Sequence, residues 1–287
     1  MTWIFFAFLT AIFRSLTDVA GKFGLKNMDE YIVAWALNFF ALPILLPLLF
    51  FIEIPEITSG FWLAIFVSGT LNIATAILYL KAIKIADLSL VIPLSTFTPL
   101  FLLITSPIIV GEFPTIFGLI GIFLIVFGSY ILNIKKRKDG FLAPFKALLS
   151  NKGAQIMLLV AFIWSITSNF DKIGLQHSSP VFYGIAVNVF ITIGITPIVF
   201  IKSRKNLNQI PKNLKSLIPV GIFHGFMMLF HMIAISMTLV AYLISIKRTS
   251  AVISVLFGVI IFKEKGLKER ILGAIIMIIG VLCITLF

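Results

Sequence analysis

The chain has 287 residues, of which 60% are hydrophobic and only 12% charged, and its mean hydropathy is +1.13. Soluble domains carry about twice that share of charge, so a water-soluble enzyme or binding module is excluded and a polytopic helical membrane protein is expected. The net charge of +12 points to no nucleic acid: the basic residues cluster in short loops between apolar segments, where they act as orientation signals. The single Cys283 excludes an internal disulfide and a cysteine metal cluster.

Read from the start, the chain offers ten apolar segments of about the length that spans a bilayer: 3–22, 31–52, 61–83, 88–110, 114–134, 154–174, 181–201, 217–237, 241–262 and 268–287. Segment one lacks a basic n-region and a cleavage site and is interrupted by Arg14, so it reads as a helix and not a cleaved signal. Arg14, Asp18 and Lys22 recur every four residues along one face, which makes Arg14 and Asp18 an ion pair or a coupling site. Segment two carries Asn38 and Pro47, and segment seven Asn188 and Pro197 at matching positions. A proline inside a helix frees a carbonyl and permits bending. Segment three carries Asn72 and Tyr79, and segment eight His224 and His231, each pair seven residues apart on one face. These residues can bind an anion, relay protons or hydrogen-bond between helices. No carboxylate accompanies the histidines, so no metal site is expected. Segments five and ten repeat glycines at seven, Gly121 and Gly128 against Gly273 and Gly280, which suits close helix packing and a homodimer face.

Segment nine holds the most demanding feature. Lys247 and Arg248 lie side by side inside AYLISIKRTSAVISVLFGVIIFKEK, Ala241–Lys265. At ~1.5 Å per residue they sit roughly 9 Å beyond Ala241. Each charge opposes insertion by up to about 2.5–3.5 kcal/mol at a helix centre. A compact ammonium beside a planar guanidinium can grip a phosphate or carboxylate from two directions; the alternative is a structural pair neutralised by Asp18, Asp171 or Asp87, or snorkelling to the interface.

The two halves repeat. AIFRSLTDVAGKFGL from Ala11 aligns with AFIWSITSNFDKIGL from Ala161 at an offset of 150; later segments align at 152, pairing Glu112 with Glu264. Glu112 and Glu264 end segments four and nine and read as interfacial structural residues. Five segments per copy force the second copy to cross the membrane in the opposite sense, as in the inverted repeats of secondary transporters. The expected architecture is therefore all-α, ten transmembrane helices in two inverted five-helix repeats, 1–134 and 154–287, joined by a basic linker at 135–153. KKRK at 135–138 reads as a topology determinant or anionic-lipid contact.

The paired signatures VGEFPTIFGLIGIFLIVFGSY at 110–130 and FKEKGLKERILGAIIMIIGV at 262–281 resemble the drug/metabolite transporter superfamily, EamA-type branch. That resemblance implies two inverted five-helix repeats, export of small metabolites, and both termini in the cytoplasm. The positive-inside count runs the other way, since the basic loops follow odd-numbered segments and place both termini outside. Reporter fusions after Phe287 separate the two. A narrower resemblance joins Lys247-Arg248 and the following TSAVISVLFGVIIF to the sugar-phosphate/phosphate translocators of the same superfamily, where such a pair binds the substrate phosphate. Those proteins carry a lysine four residues before a proline in segment four; here that position is Ser95, the repeat-mate of Lys247, which leaves a smaller anion or a carboxylate zwitterion open.

The expected function is a secondary transporter in the cell membrane, moving a small organic anion or zwitterion by alternating access. Lys247 and Arg248 hold the substrate, and His224, His231, Asn72, Tyr79 and Ser95 line the cavity. Its partners are that small molecule and the lipid bilayer, with no cofactor and no catalytic residue. An exporter of cationic or neutral drugs and a lipid flippase are the alternatives on the same fold. A membrane enzyme acting on a lipid phosphate needs a nucleophile or metal, and no G-x-S-x-G, H-E-x-x-H or phosphate-loop motif is present.

Overall fold

The computed structural model describes residues 2–85, 94–133, 151–253 and 267–286. Asp87, the basic run 135–138, Glu264 with Lys263 and Lys265, and segment nine beyond 253 lie outside these residues. Among the described residues every regular element is helical: α1 Thr2–Asn27, α2 Glu30–Phe39, α3 Leu42–Leu45, α4 Ser59–Ile85, α5 Thr98–Ile109, α6 Ile116–Asn133, α7 Lys152–Gln176, α8 Pro180–Lys202, α9 Leu214–Met237, α10 Val240–Lys247 and α11 Leu267–Leu286. Among the described residues six spans are long and apolar enough to cross a membrane, and three shorter apolar helices accompany them. The protein is an all-α, multi-pass membrane protein.

The helices gather into two compact units that each draw on both sequence halves. Unit A comprises Thr2–Ile77 and Thr167–Met237; unit B comprises Leu78–Ile166 and Thr238 onward.

In unit A, α1 lies along α9 through a phenylalanine seam, with the Phe13 ring 5.1 Å from Phe226 and 5.6 Å from Phe230. Asp29 caps α2, accepting from the Tyr31 and Ile32 amides at 3.1 and 3.0 Å. The same carboxylate accepts from Ser203 Oγ at 2.7 Å and Asn206 Nδ2 at 2.8 Å, which ties the polar loop after α8 to the start of α2. Asn38 and Asn188 meet, with Nδ2 of Asn188 donating to Oδ1 of Asn38 at 3.3 Å. The expected likeness of segments two and seven stops at the prolines. Pro197 sits inside a continuous α8, whereas Pro43 and Pro47 divide segment two into α2, α3 and a 3-10 turn at Leu46–Phe50. Two prolines four residues apart remove two successive helical hydrogen bonds, and one does not.

In unit B, α6 and α11 touch along their glycines. A Cβ on Gly121 would stand 2.6 Å from the Gly280 carbonyl oxygen, and one on Gly128 2.6 Å from that of Gly273. The glycine heptads therefore serve packing within one chain. Gly111, at φ +75°, ends α5 in the left-handed conformation that favours glycine, and its N–H bonds the Ser106 carbonyl at 3.0 Å. That turn aims Glu112 at the first turn of α10, where Oε2 accepts the Val240 amide at 2.8 Å. A carboxylate suits the positive end of a helix. Tyr242 of α10 returns the contact: its hydroxyl accepts the Thr115 amide at 2.9 Å.

Candidate functional site

Lys247 and Arg248 fall where segment nine loses its regular helix. α10 ends at Lys247, a turn covers Arg248 and Thr249, and helical residues resume at Ser250. Across the turn the bonds shorten to three residues: Arg248 N to Ser245 O at 3.0 Å, Thr249 N to Ile246 O at 2.9 Å, Ala251 N to Arg248 O at 3.1 Å. Thr249 and Ser245 also bond back to their own helix carbonyls, at 2.7 Å each, a local competition that bends helices.

Segment four breaks at the matching place. Leu94 and Ser95 are helical, Thr96 and Phe97 form a turn, and α5 starts at Thr98 with Pro99 in its first turn. The offset of 152 carries Thr96 and Phe97 onto Arg248 and Thr249. Pro99 stands just past this break in segment four, segment nine has no proline at the matching place, and neither break was foreseen from the sequence. Interrupted helices in repeat-related positions are where transporters of this architecture place their ligand sites.

Within unit B the two breaks are joined by Arg248. Its Nη2 donates to Thr98 Oγ1 at 2.7 Å, and the Thr98 hydroxyl donates to the Ser95 carbonyl at 3.0 Å. The guanidinium carbon lies 5.5 Å from the centre of the Trp164 ring, within cation–π range. Trp164 in turn packs at 5.3 Å on Tyr79. Both rings lean on a core of Ala82, Leu94, Ala154, Met157 and Val160, so the platform beneath the guanidinium is held by close packing. Arg248, Tyr79 and Ser95 are thus brought together, with Lys247 next in chain and, like Arg248, half-buried. Thr98 was missed, being an ordinary helix-start threonine in sequence. Trp164, which aligns with Arg14 at the offset of 150, carries no sequence signal for this role.

The remaining candidates belong to unit A. Arg14 Nε lies 3.0 Å from Asp18 Oδ1 and donates to Oδ2 at 3.2 Å, so the expected ion pair is formed. His231 is buried and His224 half-buried on α9, one face and about 10 Å apart at ~1.5 Å per residue. Asn72 donates to Ser68 Oγ at 3.0 Å and enters a different cluster, one centred on Asp171.

Against known proteins, a family model described as the EamA-like transporter family matches twice, over residues 1–134 and 151–286. The chain belongs to the EamA-like transporter family. It is a membrane transporter of the drug/metabolite transporter superfamily, and its two matches are the two repeats. No curated protein matches it in sequence. A solved structure, titled only as the crystal structure of a protein, shares the fold at TM-score 0.74 and 15% identity, over 99% of this chain and 96% of that one.

Proposed function

We propose that this EamA-like transporter moves a small organic anion or zwitterion, bearing a phosphate or carboxylate, across the cell membrane by alternating access. The observation that carries the reading is Arg248: a guanidinium at a helix break, in contact with Thr98 and Trp164. A guanidinium has five N–H donors in a fixed fork, a geometry that matches a phosphate or carboxylate. Lys247 adds a second positive charge, while Tyr79 and Ser95 border the same cluster in unit B.

The test is thermal stabilisation of the purified protein by inorganic phosphate, phosphoenolpyruvate, sugar phosphates and acidic amino acids, with Lys247→Gln and Arg248→Gln in parallel. A ligand at a hundredfold excess over Kd stabilises by about 2.7 kcal/mol. An anion that stabilises wild type and neither variant supports the reading. An anion that stabilises all three alike, or cationic drugs that stabilise where anions do not, refutes it.

A further inference from the structure

Asp171 is the most enclosed acidic group of unit A, 7% exposed on α7 inside a membrane-spanning segment. Its Oδ1 accepts two hydroxyls, Ser68 Oγ from α4 at 2.5 Å and Tyr183 from α8 at 3.0 Å. Asn72 Nδ2 donates to Ser68 Oγ, which commits the single serine proton to Asp171. Ser68 and Tyr183 are fully buried.

The repeat shows that the fold does not need this cluster. At an offset of 150, Gly174 against Tyr183 corresponds to Gly24 against Val33, and both pairs are in contact. At the other copy, Asp171 is replaced by Gly21, Tyr183 by Val33 and, at the 152 offset, Ser68 by Val220. A Cβ on Gly21 would meet nothing within 4 Å, and Val33 and Val220 are buried apolar side chains. The matching positions therefore hold glycine and two valines in one copy and a carboxylate with two hydroxyls in the other. A buried carboxylate is costly and is not retained for packing that valine achieves.

We propose that Asp171 is the proton-binding site of the transport cycle: the carboxylate takes a proton from water on one side and returns it on the other. On protonation the carboxyl becomes a donor, and the Ser68 and Tyr183 hydroxyls, which can donate or accept, rotate to match. The other titratable groups are placed as follows. Tyr183 faces Asp171 from α8, whose one cation, Lys202, ends the helix. On α4 the ionisable residues Tyr79, Lys81 and Lys84 begin eleven residues beyond Ser68. On α7 itself, buried Lys172 is adjacent and Lys152 lies at the far end. His177 follows α7, exposed and hydrogen-bonded to Thr58 Oγ1 at 2.6 Å, roughly 9 Å along the helix axis at ~1.5 Å per residue. Asp18 on α1 pairs with Arg14 at 3.0 Å.

This rests on the transporter reading but not on the identity of the anion, so its first test uses none. Difference infrared spectra of the full chain in liposomes are recorded while the pH is stepped from about 8 to about 4, which brackets the ordinary aspartate value with room above it. The expected result is a protonated-carboxyl band that rises with acid, shifts in frequency in Ser68→Ala, disappears in Asp171→Asn and persists in Asp18→Asn. A spectrum indifferent to both Asp171→Asn and Ser68→Ala overturns the proposal; if Asp171→Asn does not fold, Ser68→Ala decides alone. A band that responds to sodium at constant pH overturns it in favour of a metal cation. For an anion identified by the stabilisation panel, acid-driven accumulation should vanish in Asp171→Asn while exchange of labelled for unlabelled anion survives. Accumulation that survives Asp171→Asn overturns the assignment, whereas a panel with no ligand touches only the anion reading.

Discussion

Thr98→Val separates charge from geometry at Arg248. Valine has nearly the shape of threonine, so the α5 start stays filled while two bonds disappear: the 2.7 Å bond from Arg248 Nη2 and the 3.0 Å bond to the Ser95 carbonyl. Hydrogen bonds to charged groups contribute about 1.5–3 kcal/mol, and half-burial of Arg248 places this one near the lower end. If that orienting energy is lost from the bound complex, about 1.5 kcal/mol weakens the anion roughly tenfold. At a concentration a hundredfold above the wild-type Kd, stabilisation then falls from about 2.7 to about 1.4 kcal/mol. The assay is calorimetric titration of the panel anion into wild type, Thr98→Val, Thr98→Ser and Arg248→Gln. Thr98→Ser keeps both bonds and should bind like wild type, and Thr98→Val should add nothing on top of Arg248→Gln. A Thr98→Val protein with wild-type Kd, or a tighter one, refutes the claim that Thr98 holds the guanidinium ready.

Four further outcomes follow from the packing. Gly128→Ala forces a methyl to 2.6 Å from the Gly273 carbonyl and 2.8 Å from the Met277 amide, so α6 and α11 must part, at about 1–3 kcal/mol of stability in reversible unfolding. Gly21→Ala, with nothing within 4 Å, should be neutral or gain up to about 1 kcal/mol from helix propensity in the same assay. Arg14→Leu and Asp18→Leu each strand a charge in the membrane and should lower expression and stability more than the double replacement does, since the pair is removed together. Tyr242→Phe removes the hydroxyl that accepts the Thr115 amide and should cost about 1 kcal/mol in thermal unfolding without altering anion affinity.

Much of this is legible in the sequence. Hydropathy gave the helices and the offsets 150 and 152 gave the repeats, because a bilayer and an inverted duplication both impose periods on sequence. The Arg14–Asp18 pair was readable for the same reason: four residues on a helix are neighbours. The glycines at seven announced a tight seam, and α6 and α11 form it. What was not legible depends on contacts between residues far apart in the chain. Thr98 reaches Arg248 across 150 positions and Ser68 reaches Asp171 across 103, and neither threonine nor serine carries a pattern that marks it. Likewise Asn38 and Pro47 predicted a second segment like the seventh, but the additional Pro43 divides it.

The repeat turns out to be most informative where it fails. Symmetric positions that keep their chemistry, such as the glycine seam, describe what the fold requires. Positions that keep their geometry and change their chemistry describe something else, since packing alone would have let both copies drift toward the cheaper apolar solution. The breaks in segments four and nine coincide to the residue, yet only one carries Lys247 and Arg248, with Ser95 and Thr96 as their mates. The crossings at Gly24–Val33 and Gly174–Tyr183 coincide as well, yet only one encloses a carboxylate. Unit B therefore holds positive charge at a shared break, and unit A holds negative charge at a shared crossing. An anion at the first and a proton at the second are the ligands we propose.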